Sequence, residues 1–393
     1  MRMYKWIVLL LVLIVLVFLA LSRSMTGGDT YDITSVPPFA AIREFPFGYD
    51  ARDDRILEQI EWVPSKLKSQ PVMIYVPKEV AAIRWGNHEL RTAGCKVQNC
   101  ILSASEFHRA TADVVFFSPT SSFSMDYLRP QKQLWVMQLL ESPENTMNLS
   151  DFNGHINYTA SYRYDSDLVT PYGKWVPTER HVNGDNLSPG KKTKEVLWLV
   201  SHCITNNARM RYANELGRHI QVGSIHMTLQ GSGFEPLKRV DVFGECGERK
   251  LPKSEGQRLL AEEYKFYLAF ENSNCNQYVT EKFFDNALKN GAIPIVMGAS
   301  LEFYESISPP HSFIHVDQFD SPKDLAKYLR YLSTNADAFN EYFAWKQQGQ
   351  FVDTKFWCRL CSLAQQPRRK VYMDIEGWWH SKNQCSKRRQ GYA

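Results

Sequence analysis

With 393 residues, 44% of them hydrophobic and 13% aromatic, the chain can bury the cores of roughly two or three domains, which excludes a disordered polymer. Its 46 basic and 42 acidic residues leave a net charge of only +4, and no long basic stripe occurs, so nothing points to a nucleic-acid partner.

The first element is a continuous apolar run from Trp6 to Leu21, preceded by Arg2 and Lys5 and followed by Arg23. It is short for a plasma-membrane span and suits the thinner bilayer of the early secretory pathway. Positive charge ahead of the run places the N-terminus in the cytoplasm and the remainder in the lumen. The rival is a cleaved signal peptide with Ala20 and Ser22 at its small-residue site. The anchored reading divides the N-terminal part into a cytoplasmic tail (1–5), a signal-anchor transmembrane helix (6–22) and a stem (23–69). Either reading puts the rest of the chain in the secretory lumen. The eight cysteines, an even set beyond the run, agree with that compartment. So do three sequons at Asn148, Asn157 and Asn186, which are N-glycosylation acceptors where lumenal and exposed.

Beyond the stem, Arg52–Trp62 has helical spacing, and Pro71–Val76, Ala112–Phe117 and Gln133–Leu140 read as short buried strands separated by helices. The stretch His181–Lys192, rich in Gly, Pro, Asn and Lys, is the clearest boundary. A second alternating region follows. It holds strands at Val196–Val200, Val240–Phe243, Phe266–Phe270, Ala292–Met297 and Phe313–Val316, and helices around Asn207–Gly217 and Pro322–Leu332. The expected fold is α/β, with two Rossmann-like domains facing a cleft: residues 70–190, then 191–365, then a C-terminal tail over 366–393. Open α/β sheets bind ligands at the carboxyl ends of their strands, and the loop at Glu271 and the segment Tyr278–Lys282 fall at such an end.

Lys282 opens the predicted helix after that loop, where the macrodipole is positive. A lysine there is unfavourable by a few tenths to about 1 kcal/mol unless an anion offsets it. A diphosphate would supply that anion and meet the open N–H groups of the helix start. On spacing alone, however, Lys282 reads as an ordinary exposed lysine. Arg209 stands at a helix start after the strand Leu197–Val200, where its fork could clamp phosphate. Glu141 ends the strand Leu134–Leu140 beside Ser142-Pro143; a single Glu there carries little information by itself.

The stretch Tyr264–Gly298 (YKFYLAFENSNCNQYVTEKFFDNALKNGAIPIVMG) closely resembles the donor-binding motif of the α1,3-fucosyltransferases of glycosyltransferase family 10, whose usual form is FENS…DYVTEK(L/F)…NA…G.VPVV.G. The resemblance extends over about Ile74 to Cys361. It implies a GT-B-type fold and inverting transfer of L-fucose from GDP-fucose, in α1,3 linkage, to GlcNAc of a glycoprotein or glycolipid glycan. Lys282 and Arg209 match the residues holding the donor diphosphate, and Tyr278 and Glu281 those holding the nucleoside end. Glu271 and Asn272 of FENS would line the sugar site. Glu141, in an ESP tripeptide, matches the general base. Cys358 and Cys361 match a C-terminal C-x-x-C, and Cys95 and Cys100 an upstream pair, making these four the disulfide candidates, with connectivity open.

The pair Asp165 and Asp167 has the D-x-D spacing of a metal triad. In this family the segment carries no established metal role, so no obligatory metal or other cofactor is expected. The implied setting is the Golgi membrane as a single-pass type II protein, with a homodimer left open. Three departures stand out. His202 replaces a usual Asn, Ser118-Pro-Thr-Ser-Ser-Phe123 replaces a vertebrate His-His acceptor segment, and Gln221–Arg239 is an extra segment. The alternative is a catalytically inactive, membrane-anchored relative that binds glycans or nucleotides on the same fold.

Overall fold

Continuous apolar runs dictate the two central sheets. In the computed structural model, which describes residues 44–47, 53–121, 128–178, 192–220 and 240–386, Val114-Val-Phe-Phe117 is buried at every position. Such two-sided burial requires a parallel sheet covered on both faces. Strands β1 (Val72–Tyr75), β2 (Cys100–Ser103), β3 (Val114–Phe117), β4 (Leu134–Leu139), β5 (Tyr158–Ser161) and β6 (Leu168–Val169) form that sheet in the order β2-β1-β3-β4-β5-β6. Every neighbouring pair is parallel.

A short strand β7 (Trp175–Pro177) leads out of this lobe. The second sheet contains β8 (Lys194–Leu199), β9 (Val240–Phe243), β10 (Tyr264–Phe270), β12 (Ile293–Met297) and β13 (Ile314–His315), in the order β13-β12-β10-β8-β9, again all parallel. Helices Arg209–His219 and Pro322–Thr334 cover one face. Leu216, Leu325, Leu329 and Leu332 pack there with Val196, Phe266 and Ile295. Ser321 caps the second helix by accepting a 3.2 Å bond from the Asp324 amide. The remaining short strands, β11 (Asn274–Cys275), β14 (Gly349–Phe351) and β15 (Cys385–Ser386), pair over long distances: β14 with β7 and β11 with β15, both antiparallel.

The chain then departs from the expected domain boundaries. Helix Phe356–Gln365, assigned by sequence to the second domain, buries Cys358, Leu360, Cys361 and Leu363 against Val72, Ile74 and Val114 of the first sheet. Of the expected tail 366–393, the described part, 366–386, packs into the fold, since Ile375 and Trp379 are fully buried with Trp135 and Tyr278. The cause is covalent as well as hydrophobic: Cys95–Cys358 and Cys100–Cys361 are disulfides, joined by Cys203–Cys246 and Cys275–Cys385. Replacing Cys95, Cys100, Cys358 and Cys361 together by Ser should lower stability by about 2–5 kcal/mol, because the two parallel bonds close one loop spanning most of the fold. A thermal melt checks this, and an unchanged midpoint would contradict it.

The apolar run Trp6–Leu21, residues 181–191 of the boundary with Asn186, residues 122 and 123 of the acceptor segment and the insert 221–239 lie outside the described residues. Among the described residues no helix is long and apolar enough to cross a membrane.

Candidate active site

The loop after β4 carries Glu141 to the carboxyl end of the first sheet, and the hydroxyl of Tyr172 fixes it by donating to the Leu140 carbonyl at 2.8 Å. Glu141 is exposed. Its Oε1 accepts from the Ser142 amide at 2.9 Å, from Asn272 Nδ2 at 3.0 Å and from the Tyr278 hydroxyl at 2.5 Å. Two of these donors come from the second lobe, Asn272 from the loop after β10 and Tyr278 from the segment after β11. The contact is reinforced beside it, where Ser142 Oγ lies 2.8 Å from Ser273 Oγ and Asn145 Nδ2 donates to both hydroxyls, at 3.0 and 2.9 Å. The ESP and FENS motifs are therefore two halves of one polar junction, with one carboxylate oxygen held and its side chain still open to solvent.

Behind the junction sits Glu271, which is fully buried. Its carboxylate accepts from the Thr280 amide at 2.8 Å and the Thr280 hydroxyl at 2.9 Å, and pairs with Lys282 Nζ at 3.1 Å. Gly298 makes the room: its φ is +153°, and a Cβ there would stand 2.9 Å from Glu271 Cγ. Burial raises the Glu271 pKa, with Lys282 opposing. For Lys282, burial works against the charged form, but the carboxylates of Glu271 and Glu281 outweigh it and hold the pKa above the usual lysine range. Lys282 also donates to Thr280 Oγ1 at 2.9 Å and reaches Glu281 Oε1 at 3.3 Å. It opens a π-helical turn, Lys282–Ala287, rather than the regular helix expected, and the turn tightens before Gly291 ends it at φ +66°.

Several of the expected site residues have their polar groups engaged within the protein. Glu271, expected at the sugar site, is sealed from solvent. Tyr278 is 1% exposed and spends its hydroxyl on Glu141, while its ring packs 5.1 Å from that of Tyr162. Glu281 has a side chain 41% exposed. Arg209, 2% exposed, turns inward: Nη1 donates to the Phe270 carbonyl at 2.8 Å and Nη2 to the His202 carbonyl at 2.6 Å. Burial lowers its pKa, with Glu271 opposing. The fork that sequence assigned to phosphate thus grips backbone carbonyls at the end of β10 and in the segment after β8. Asn207 adds to that grip through Nδ2 to the Glu271 carbonyl at 2.9 Å and to Asn274 Oδ1 at 3.1 Å. Sequence reasoning passed over Asn207, Ser142, Ser273 and Thr280. Their signal was a polar residue at a strand end or helix start in an otherwise apolar unit.

Both D-x-D carboxylates are engaged elsewhere. Asp165 binds Arg163, whose Nε donates to it at 2.9 Å. Asp167 takes the Thr159 amide at 2.9 Å, Lys370 Nζ at 2.6 Å and the Tyr372 hydroxyl at 3.0 Å. Of the sequons, Asn148 is exposed. Asn157 is half-buried, with Nδ2 donating to the Lys370 carbonyl at 2.8 Å.

The fold and junction define a two-lobed α/β enzyme with a carboxylate presented where strand ends of both lobes meet. Residues 68–173 match the model of the fucosyltransferase N-terminal region, and residues 189–378 that of the glycosyltransferase family 10 (fucosyltransferase) C-terminal region. Glycoprotein 3-alpha-L-fucosyltransferase A of Drosophila melanogaster is 37% identical over 86% of this chain and 67% of its own length. The 3-galactosyl-N-acetylglucosaminide 4-alpha-L-fucosyltransferase FUT3 of Bos taurus is 36% identical over 73% of this chain and 75% of its own. The human 4-galactosyl-N-acetylglucosaminide 3-alpha-L-fucosyltransferase FUT5 is 38% identical over 64% of this chain, and the chain spans 63% of that relative. Among solved structures, an α1,3-fucosyltransferase with GDP is similar at a TM-score of 0.49 and 17% identity, over 82% of this chain and 98% of its own. The chain belongs to the glycosyltransferase family 10 fucosyltransferases.

Proposed function

We propose that the protein transfers L-fucose from GDP-fucose, with inversion, to O3 of a GlcNAc in a glycoprotein or glycolipid glycan. The observation that carries this reading is the Glu141 carboxylate, held at one oxygen by donors from both lobes while its side chain stays exposed. Family membership supplies the donor class.

In this reading Glu141 takes the proton of the acceptor hydroxyl as O3 bonds to the fucose anomeric carbon. The bond from that carbon to the diphosphate oxygen breaks, and its electron pair leaves with GDP. A fixed carboxylate serves an oxocarbenium-like transition state by accepting the proton where it is released. Lys282 supplies positive charge toward the leaving diphosphate, and Glu281 is the exposed acceptor for nucleoside hydroxyls. Arg209 acts through the carbonyls of Phe270 and His202, holding the donor loops in register. Tyr278 and Asn272 orient the base. No metal enters this sequence of steps. We place the enzyme in the Golgi membrane, anchored by its N-terminal run.

The full chain, produced in a secretory host and given labelled GDP-fucose with a panel of glycans, should label a GlcNAc-containing acceptor. GDP binding without transfer to any glycan would instead favour the inactive relative.

A further inference from the structure

At the carboxyl end of the first sheet, away from the Glu141 junction, two aromatic rings stand in solvent on a rigid frame. Trp85 is 60% exposed and Phe107 91% exposed, and both line one open groove of about 730 Å³ with Lys78, Glu79, Ser103 and Ser105. Neither ring hangs on a loose tail. The Gly86 amide donates to the Leu102 carbonyl at 3.1 Å and the Leu102 amide returns a 2.8 Å bond to Gly86, tying the segment after Trp85 to β2. The Trp85 ring stacks on His108 with centroids 5.0 Å apart, and His108 Nδ1 is fixed 2.7 Å from Ser103 Oγ. Phe107 lies on the single turn Glu106–His108, and Glu106 is bonded by the Tyr75 hydroxyl.

Two large exposed rings lining one groove form an apolar patch rimmed by polar groups, the kind of surface that marks a binding site. We propose that Trp85 and Phe107 form a stacking platform for sugar residues of the acceptor glycan remote from the fucosylated GlcNAc. This rests on the function proposed above. A pyranose offers one apolar C–H face and a rim of hydroxyls, which matches flat rings interleaved with Ser, Glu and Lys. A lipid chain would desolvate those polar groups without pairing them. The groove has the volume of a small-ligand cleft, whereas a stable protein partner buries on the order of 800 Å² per side.

Position supports the same occupant. With strands about 4.8 Å apart, β1 lies about 10 Å and β2 about 14 Å across the sheet from β4, which carries Glu141. An acceptor whose hydroxyl sits at Glu141 therefore meets the platform a few sugar residues away.

The test compares Trp85→Ala and Phe107→Ala with wild type, using an extended glycan and a disaccharide acceptor, both containing GlcNAc. Each variant should raise KM for the extended glycan about tenfold, the scale of one lost aromatic anchor. It should leave kcat, KM for the disaccharide, KM for GDP-fucose and the melting temperature unchanged. Trp85→Phe should restore most of the affinity. An unchanged KM for the extended glycan, or an equal loss for both acceptors, would overturn the platform. If wild type transfers fucose to neither acceptor, the functional reading fails separately. Saturation-transfer NMR with the extended glycan then decides the platform alone, since signals that persist in Trp85→Ala would refute it.

Discussion

Glu141→Gln should lower kcat by about 10²–10⁴-fold, the usual worth of a positioned general base, with little change in the KM for GDP-fucose. The substitution isolates chemistry from architecture. Glutamine keeps an oxygen able to accept the Tyr278 hydroxyl and the Ser142 amide, at 2.5 and 2.9 Å in the native site. The side chain is also exposed, so no buried group loses its partner and the melting temperature should stay within a degree or two, about the shift of a surface change. Steady-state kinetics and a melt check both halves. A variant retaining more than a tenth of wild-type kcat would remove Glu141 from the proton transfer.

Lys282→Met should damage both stability and donor use, for one reason. Glu271 is fully buried, and Lys282 is the cation paired with its carboxylate at 3.1 Å. Deleting one partner of a buried pair leaves an uncompensated charge, costing about 3 kcal/mol or more. The loss is pH-dependent with a definite sign. Burial already raises the Glu271 pKa above its unfolded value, so the folded state favours the protonated acid. That contribution is fully present below the unfolded pKa and is lost as pH rises through the folded one. Without Lys282 the folded pKa rises further, so the stability deficit should shrink on acidification and widen toward neutrality. Adding Glu271→Gln to Lys282→Met should recover most of the stability at neutral pH but not the KM for GDP-fucose. Urea titrations at two pH values read the first effect and kinetics the second. A pH-independent deficit would contradict the assignment of Glu271 as the orphaned charge.

Much of the fold was legible because its strands are continuous apolar runs. Val240–Phe243 was read at its observed limits, and the strands at Val114, Leu134, Tyr264 and Ile293 within a few residues. The short strands β7, β11, β14 and β15 were not, because two or three residues carry no periodicity and their partners lie far along the chain. The return of helix Phe356–Gln365 to the first lobe was hidden for a similar reason. Its apolar face is equally compatible with either sheet, and cysteine spacing does not reveal which sulfurs meet.

At the site, sequence named Glu141, Asn272, Tyr278 and Lys282, and the fold brings them into one neighbourhood. It did not disclose that Arg209 points inward, since its partners are carbonyls of Phe270 and His202 whose positions follow only from tertiary packing. Nor could it show that Glu271 is sealed under Gly298, because the close approach of that glycine joins two separate strands.

The central claim is inverting transfer to O3 of a GlcNAc, with Glu141 as base. The most direct measurement is NMR of the product made by wild-type protein from GDP-β-L-fucose and a defined GlcNAc-containing glycan. The account predicts a single new α-fucosyl anomeric signal, correlated across the glycosidic oxygen to C3 of GlcNAc. A β-fucoside, attachment at a different ring position, or free fucose with no glycoside would contradict it.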